Sequence, residues 1–212
     1  MRRLMVVWIV LMGAVISPAM GDAGESPETK NPIKIAAIFA KTGKAAPTGV
    51  RAFDAVRFAV SEINENGGVL GRKIELLEID NQSSPIKAKN AAQQAVKKEV
   101  SAVVGASWSD HSIAVAQVLQ KAQIPMITPY STNPKVTKIG DYIFRACFTD
   151  LLQGRMLAKF AREELEAQKV IILRCITSSY SMGLARSFSS VFEEEAREIP
   201  EEFDYKDGDD AF

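Results

Sequence analysis

The chain has 212 residues with 26 basic and 26 acidic side chains, and 47% of its residues are hydrophobic. This composition supports an ordinary globular core and lacks the basic patch that nucleic-acid binding requires. A single His and two Cys that are far apart in the sequence argue against a transition-metal site. We therefore expect no bound cofactor, no metal and no nucleic-acid partner.

Residues 1–21 have the layout of a secretory signal peptide. The Arg2–Arg3 pair forms a basic start, Leu4–Ile16 is an apolar run, and Pro18–Gly21 supplies small residues at a cleavage site. A membrane span needs about 20 apolar residues, so an uncleaved anchor is the weaker alternative. We expect export, cleavage, a flexible polar leader over residues 22–31, and a periplasmic or otherwise extracytoplasmic location.

Beyond the leader, apolar runs of strand length alternate with segments that carry apolar residues at helical spacing. The predicted strands are Pro32–Phe39, Lys73–Asp80, Ala102–Val104, Ile124–Ile127, Tyr142–Phe148 and Lys169–Cys175, with a further one beginning at Glu201. The predicted helices are Val50–Asn66, Ser83–Lys98, Asp110–Lys121, Leu151–Ala167 and Tyr180–Arg197. Such alternation is typical of an α/β fold with a doubly wound parallel sheet and right-handed crossovers.

The predicted elements divide into two unequal parts. Residues 32–148 hold five strands and have the size of a domain. Thr149–Asp150 is the predicted crossing into a second unit. Residues 149–212 hold two helices and one or two strands, which are too few to close a doubly wound core. We expect a complete N-terminal α/β lobe and an incomplete second α/β lobe, in a chain that is truncated.

Two loops rich in hydroxyl groups follow the third and fourth predicted strands. The first, Gly105–Asp110, opens directly into a helix, and the second covers Thr128–Thr132. Ligands of open parallel sheets bind beyond the carboxyl ends of the strands. Backbone N–H groups and hydroxyls at the start of a helix can hold a carboxylate there. The sequence therefore predicts a small-molecule binding site at this edge of the sheet.

No catalytic motif accompanies these loops. The sequence lacks the G-x-S-x-G elbow of the α/β hydrolases. His111 stands beside Asp110 without a nucleophile motif, and the Lys41–Gly43 loop lacks the spacing of a phosphate-binding loop. A secreted hydrolase and a nucleotide-binding protein are thus disfavoured, and we predict that the protein is not an enzyme.

Six segments occur in a characteristic order and spacing between Ile33 and about Phe192. They are IKIAAIFAKTG, INENGGVLGRK, VSAVVGASWSD, IPMITPYST, YIFRACFTDLLQG and YSMGLA. In combination they resemble the branched-chain amino acid-type periplasmic binding proteins, the Leu/Ile/Val-binding family that supplies substrate to ABC importers. The resemblance implies the type I periplasmic binding fold, in which two α/β lobes joined by a hinge close on a ligand. It also implies that family members continue well beyond residue 212.

The resemblance assigns ligand contacts to residues in both polar loops. Ser109 matches a serine that hydrogen-bonds the backbone part of an amino-acid ligand, and Thr132 matches a hydroxyl residue at the same end of that ligand. Tyr130 matches a position that binds chiefly through its main chain. Tyr180 matches an aromatic residue of the second lobe that covers the ligand, although this chain has Ser181 where the family often has glycine.

Trp108 and Ser131 complete the predicted ligand contacts. Trp108 either forms a wall of the pocket or packs beneath the following helix. The family's acidic partner for the ligand ammonium would lie beyond residue 212. The structural alternatives for the other contacts are a helix cap at Ser109 or Asp110, a turn residue at Thr132, and a solvent-facing aromatic at Tyr180.

The leading interpretation is an exported binding protein that captures an amino acid or a similar small polar ligand. Its partner would be the permease of an ABC importer, and lobe closure would follow from the ligand's higher affinity for the closed state. Two alternatives remain open: the ligand-sensing domain of a signalling receptor, and a truncated fragment that binds nothing.

Overall fold

The computed structural model describes residues 31–194 and 198–209. The predicted signal peptide and all but the last residue of the predicted leader lie outside these ranges. The strands are β1 Ile33–Phe39, β2 Ile74–Asp80, β3 Ala102–Gly105, β4 Met126–Thr128, β5 Ile143–Arg145, β6 Lys169–Cys175 and β7 Glu198–Tyr205. The helices are α1 Ala46–Glu65, α2 Pro85–Lys97, α3 Ser109–Ala122, α4 Asp150–Glu163 and α5 Ser179–Phe192, with a short 3-10 helix at Thr137–Ile139.

The first five strands form one parallel sheet in the order β2-β1-β3-β4-β5. The chain moves outward from β1 to β2 and then returns to place β3 on the other side of β1. The order of the strands therefore reverses between β1 and β3, which is where ligands bind in sheets of this kind. The parallel register aligns Ile38 with Gly105 at the carboxyl ends of these two strands.

Helices cover both faces of this sheet. On one face, Phe53 of α1 packs edge-on against Phe39 of β1, with ring centroids 5.4 Å apart. On the other face, α2 and α3 bury Val115, Leu119 and a row of alanines against the strands. The alanines lie at helical spacing on α2, so that this helix can approach the sheet closely. The predicted doubly wound α/β fold is confirmed.

A second, smaller unit follows. β6 and β7 pair in parallel. The helices α4 and α5 pack closely at Gly154, where an added Cβ would lie only 2.6 Å from the Cβ of Ser187. Ile171 and Leu173 on the outer face of β6 are exposed, whereas parallel sheets are ordinarily covered on both faces. This arrangement fits the predicted incomplete second lobe. The boundary between residues 148 and 149 stays a prediction.

The ends of several elements differ from the prediction. β4 begins at Met126 rather than at Ile124, because Gln123 takes a left-handed conformation with a φ of 54° and the Ile124 N–H bonds back to the carbonyl of Leu119. β5 ends at Arg145 rather than at residue 148, because β4 offers only three residues for it to pair with. Over the described ranges, no helix combines the length and apolar character that a membrane crossing requires.

Candidate ligand-binding site

A buried network of hydroxyl groups joins the loops that follow β3 and β4. The Oγ atoms of Ser112 and Ser131 lie 2.6 Å apart, and the Thr128 hydroxyl donates to the carbonyl of Ala106 at 2.7 Å. The Ser131 hydroxyl also donates to the carbonyl of Ser107 at 3.1 Å. These buried groups satisfy one another, so they hold the two loops in one geometry.

Ser131 therefore enters the site in a different way from the other predicted contacts. Its hydroxyl is fully buried and has protein atoms as partners. Its main-chain N–H donates to the Thr128 hydroxyl at 3.1 Å, and its carbonyl accepts from Arg145 at 2.7 Å. The ligand contact of Ser131 stays a prediction.

Ser109 and Thr132 lie where the two loops meet, at a junction that we call the crevice. The Ser109 hydroxyl accepts the N–H of Asn133 at 3.3 Å, which places it beside the residue that follows Thr132. Only 3% of Ser109 and 8% of Thr132 are exposed. The structure thus brings together the two hydroxyl residues that the sequence singles out, although they are far apart along the chain.

The start of α3 is open rather than capped by Ser109. The residue at the N-cap position is Trp108, and it makes no side-chain hydrogen bond to the helix. The interpretation of Ser109 as the cap is therefore wrong, since Ser109 is the first residue of the helix. The N–H groups of an uncapped first turn, together with the helix dipole, favour an anionic group such as a carboxylate.

Three exposed aromatic residues belong to the loops and helix starts that meet here. Trp108 is 40% exposed and stacks on His111, with ring centroids 5.4 Å apart and 20° between the ring planes. Tyr130 follows β4 and is exposed. The hydroxyl of Tyr180 accepts a hydrogen bond from Gln153 at 3.3 Å. Trp108 is thus partly exposed while it packs on His111, and its role as a wall of the site stays a prediction.

The beginnings of α3 and α5 meet at this site. The N–H of Ser179 lies 3.3 and 3.2 Å from the two carboxylate oxygens of Asp110, and the Asn133 side chain donates to the carbonyl of Ser179 at 2.6 Å. A Cβ on Gly183 would lie 2.9 Å from the Asn133 amide. The two α/β units are therefore in close contact, and Tyr180 follows directly after the residue that joins them.

Two charged residues that the sequence analysis did not single out support the loop after β4. Arg145 donates to the carbonyls of Ser131 and Asn133 at 2.7 and 2.9 Å, and so holds the backbone of that loop. Asp150 is buried at the start of α4 and its N–H donates to the carbonyl of Thr132 at 2.9 Å. Burial raises the pKa of Asp150, while the Thr132 hydroxyl and the charge of Arg145 act in the opposite direction.

The sequence signals were a charged residue at the end of β5, Arg145, and an acidic residue at the start of α4, Asp150. Their partners were not visible in the sequence, because those partners come from the loop after β4. Among the described residues, no group of three His, Cys, Asp or Glu side chains could hold a metal ion.

Comparison with known proteins assigns most of the chain to one family. Residues 32–212 match the family described as "Periplasmic binding protein". The leucine-specific-binding protein of Salmonella typhimurium is 33% identical over 156 residues, which cover 73% of this chain and 42% of that protein. The chain therefore spans less than half the length of this relative.

Two solved structures share the fold over 85% of this chain. One is a leucine binding protein from Thermotoga maritima, with a TM-score of 0.79, 34% identity and 51% of that chain covered. The other is a branched-chain amino acid transporter substrate binding protein from Streptococcus pneumoniae in complex with isoleucine, with the same TM-score, identity and coverage.

Proposed function

The chain belongs to the periplasmic binding protein family, and we propose that it captures an amino acid with an aliphatic side chain for an ABC importer. The relatives are binding proteins rather than enzymes. The observation that carries the proposal is the crevice at which Ser109 and Thr132 lie beside the uncapped start of α3. Because the chain covers 42% of the relative's length, the substrate and the permease partner are part of the proposal.

The carboxylate of the ligand would bind at the start of α3. An amino acid carries a carboxylate that needs N–H or O–H donors. The first-turn N–H groups of α3 and the hydroxyls of Ser109 and Thr132 supply such donors. The buried network around Ser112 and Ser131 would keep them in place when the ligand arrives, so little ordering entropy would be lost.

The second unit would cover the ligand from the other side. Tyr180 stands at the start of α5, directly after Ser179, whose N–H and carbonyl contact Asp110 and Asn133. These contacts connect α5 to the loops that would hold the ligand carboxylate. A ligand that touches both units stabilises their closed arrangement by its differential affinity for that state.

The proposed location is the periplasm, and the proposed receiver is an importer permease. The family and the secretory layout of residues 1–21 support this location. Fractionation of cells that express the full chain would place it in the periplasmic extract. Its retention in the cytoplasm would contradict the export part of the proposal.

Thermal unfolding with an amino-acid panel tests the binding itself. A ligand present at 100 times its Kd stabilises the folded state by about 2.7 kcal/mol, which raises the Tm of a domain of this size by about 5–10 °C. We expect leucine, isoleucine and valine to raise the Tm, and glutamate and lysine to leave it unchanged.

A matched pair of serine variants separates binding from stability. Ser109→Ala should reduce the shift with leucine, because it removes a proposed donor to the ligand. Ser101→Ala changes an exposed serine outside the site and should leave the shift intact. If none of the amino acids in the panel raises the Tm of the unsubstituted chain, the proposed function is contradicted.

A further inference from the structure

Trp108 and His111 form a stacked pair in which a buried ring supports a partly exposed one, and binding of the ligand carboxylate does not require this arrangement. The imidazole is only 2% exposed, whereas the indole above it is 40% exposed. The rings are nearly parallel, with 20° between their planes and 5.4 Å between their centroids. A buried, flat side chain therefore lies under one face of an indole that is partly exposed and directly precedes Ser109 at the start of α3.

His111 is held firmly enough to act as a support. It lies in the first turn of α3 and contacts the loop between β2 and α2 through the backbone of Ser83. Its Nδ1 is buried and has no hydrogen-bond partner among the described residues. A protonated ring would carry a second N–H there with nothing to accept it, so the neutral form is favoured.

The charges around the ring agree with this protonation state. Burial lowers the pKa of His111, and the charge of the neighbouring Asp110 and a hydrogen bond at the backbone of Ser83 oppose that shift. The carboxylate of Asp110 is engaged by the N–H of Ser179. The ring is therefore an uncharged aromatic surface at neutral pH.

We infer that His111 is a positioning residue for Trp108, and that the indole it holds forms a flat apolar wall which selects ligands with apolar side chains. An indole has two rotatable side-chain bonds, and without a surface beneath it a half-exposed indole samples several rotamers. Stacked on a buried ring, it keeps one orientation and presents a preformed surface to the ligand. The selectivity rests on the proposed function, whereas the positioning does not.

The sequence offers a direct probe of this pair. It contains two tryptophans, Trp8 and Trp108, so the full chain with Trp8→Phe has Trp108 as its only indole emitter. In this background we would compare the unsubstituted His111 with His111→Ala, His111→Phe and Gln117→Ala. Gln117 is an exposed residue of the same helix and serves as the matched control.

The first readout needs no ligand. His111→Ala should raise the acrylamide quenching constant of Trp108 about twofold and lower its fluorescence anisotropy, because the indole gains freedom. His111→Phe keeps a flat ring under the indole and should stay within experimental error of the unsubstituted chain, as should Gln117→Ala. A merely structural histidine would change unfolding without changing the mobility of Trp108 in the folded protein.

Two results would overturn the positioning role. One is quenching in His111→Ala equal to that of the unsubstituted chain. The other is His111→Phe with the increase expected for the alanine variant. If His111→Ala does not fold, His111→Asn replaces it, since Asn offers no aromatic surface and the same comparison applies.

The second readout concerns selectivity and uses leucine and glutamate. His111→Ala should reduce the ratio of leucine to glutamate affinity about fivefold, while His111→Phe preserves it. An unchanged ratio in a variant whose indole has become mobile would overturn the wall as a selectivity element. A chain that binds neither amino acid contradicts the proposed function and the selectivity that rests on it, and the positioning role is then decided by quenching alone.

Discussion

The carboxylate of Asp110 accepts the backbone N–H of Ser179 at 3.2 Å, and this contact joins the first turns of α3 and α5 across the two α/β units. Both helix starts favour negative charge nearby. One carboxylate can therefore stabilise the starts of two helices and the contact between the two units. The adjacent Asn133 strengthens the same junction through the carbonyl of Ser179.

Replacing Asp110 with Asn should weaken this junction with little change in shape. A hydrogen bond to a charged group contributes more than one between neutral groups, so we expect a loss of about 1 kcal/mol. This corresponds to roughly a fivefold weaker affinity for leucine by titration calorimetry. Asp54→Asn, on the exposed surface of α1, is the control. Unchanged leucine affinity in the Asp110 variant would show that the contact does not contribute to closure.

Gly183→Ala should disturb the contact between the two units by displacing the side chains of Asn133 and Asp150. The new Cβ would lie 2.7 Å from a carboxylate oxygen of Asp150 and 2.9 Å from the Asn133 amide nitrogen, so these two buried side chains would have to shift. Overpacking of this kind costs about 1–3 kcal/mol. Urea unfolding monitored by circular dichroism measures the cost, and Arg186→Ala, an exposed change on the same helix, is the control. Stability equal to that of the control would mean that the interface adjusts at no cost.

Asp150 should contribute more to the free energy of unfolding at acid pH than at neutral pH, because its pKa is raised in the folded protein. Burial raises its pKa in the folded state, so between its unfolded and folded pKa values the folded protein binds more protons. Its contribution to stability therefore falls as the pH rises through that range. Asp150→Asn should abolish this dependence and raise stability at pH 7 by about 1 kcal/mol.

Unfolding free energies of the Asp150→Asn variant at pH 4 and pH 7 test this sign. The difference between variant and unsubstituted chain should be small at pH 4 and should favour the variant at pH 7. A variant that is less stable at pH 7 would instead indicate that the ionised carboxylate is stabilised by Arg145 and by the start of α4.

Thr128→Val should cost more than an ordinary change of hydroxyl to methyl. It removes the bond to the Ala106 carbonyl and the acceptor for the N–H of Ser131, at 2.7 and 3.1 Å. Buried groups left without partners cost about 1–3 kcal/mol. Thr42→Val removes an exposed hydroxyl that donates to Asp80 and serves as the control. Equal losses in urea unfolding would show that burial of this network has no energetic consequence.

The sequence predicts where the strongly periodic helices lie to within a few residues. It does not predict the residue at which each helix begins or ends. α3 was expected over Asp110–Lys121 and is observed over Ser109–Ala122. α4 was expected to reach Ala167 but ends at Glu163, and Glu166 takes a left-handed conformation with a φ of 50°. Periodicity reports a face that packs on the core, whereas the ends depend on single backbone angles that many residue types can adopt.

In the candidate site, too, the sequence indicates which segments are involved, whereas the contacts of single residues depend on the tertiary structure. The sequence indicates both polar loops, and the parallel order of the strands brings Ser109 next to Asn133, the residue after Thr132. It did not reveal that Ser131 is engaged inside the protein, because Ser109 and Ser131 are chemically identical. Both hydroxyls are buried, and the protein atoms that each one bonds depend on how the loops after β3 and β4 pack against each other.

By itself, the sequence determined the alternation of strands and helices, the doubly wound sheet and the position of the polar loops. These follow from hydrophobic periodicity and from local preferences of the backbone, which act between near neighbours. Only the tertiary structure decided that Asp110 meets Ser179, 69 residues further along, and that Trp108 rests on a buried imidazole. Such contacts depend on side-chain packing between distant segments, and no short pattern in the chain encodes them.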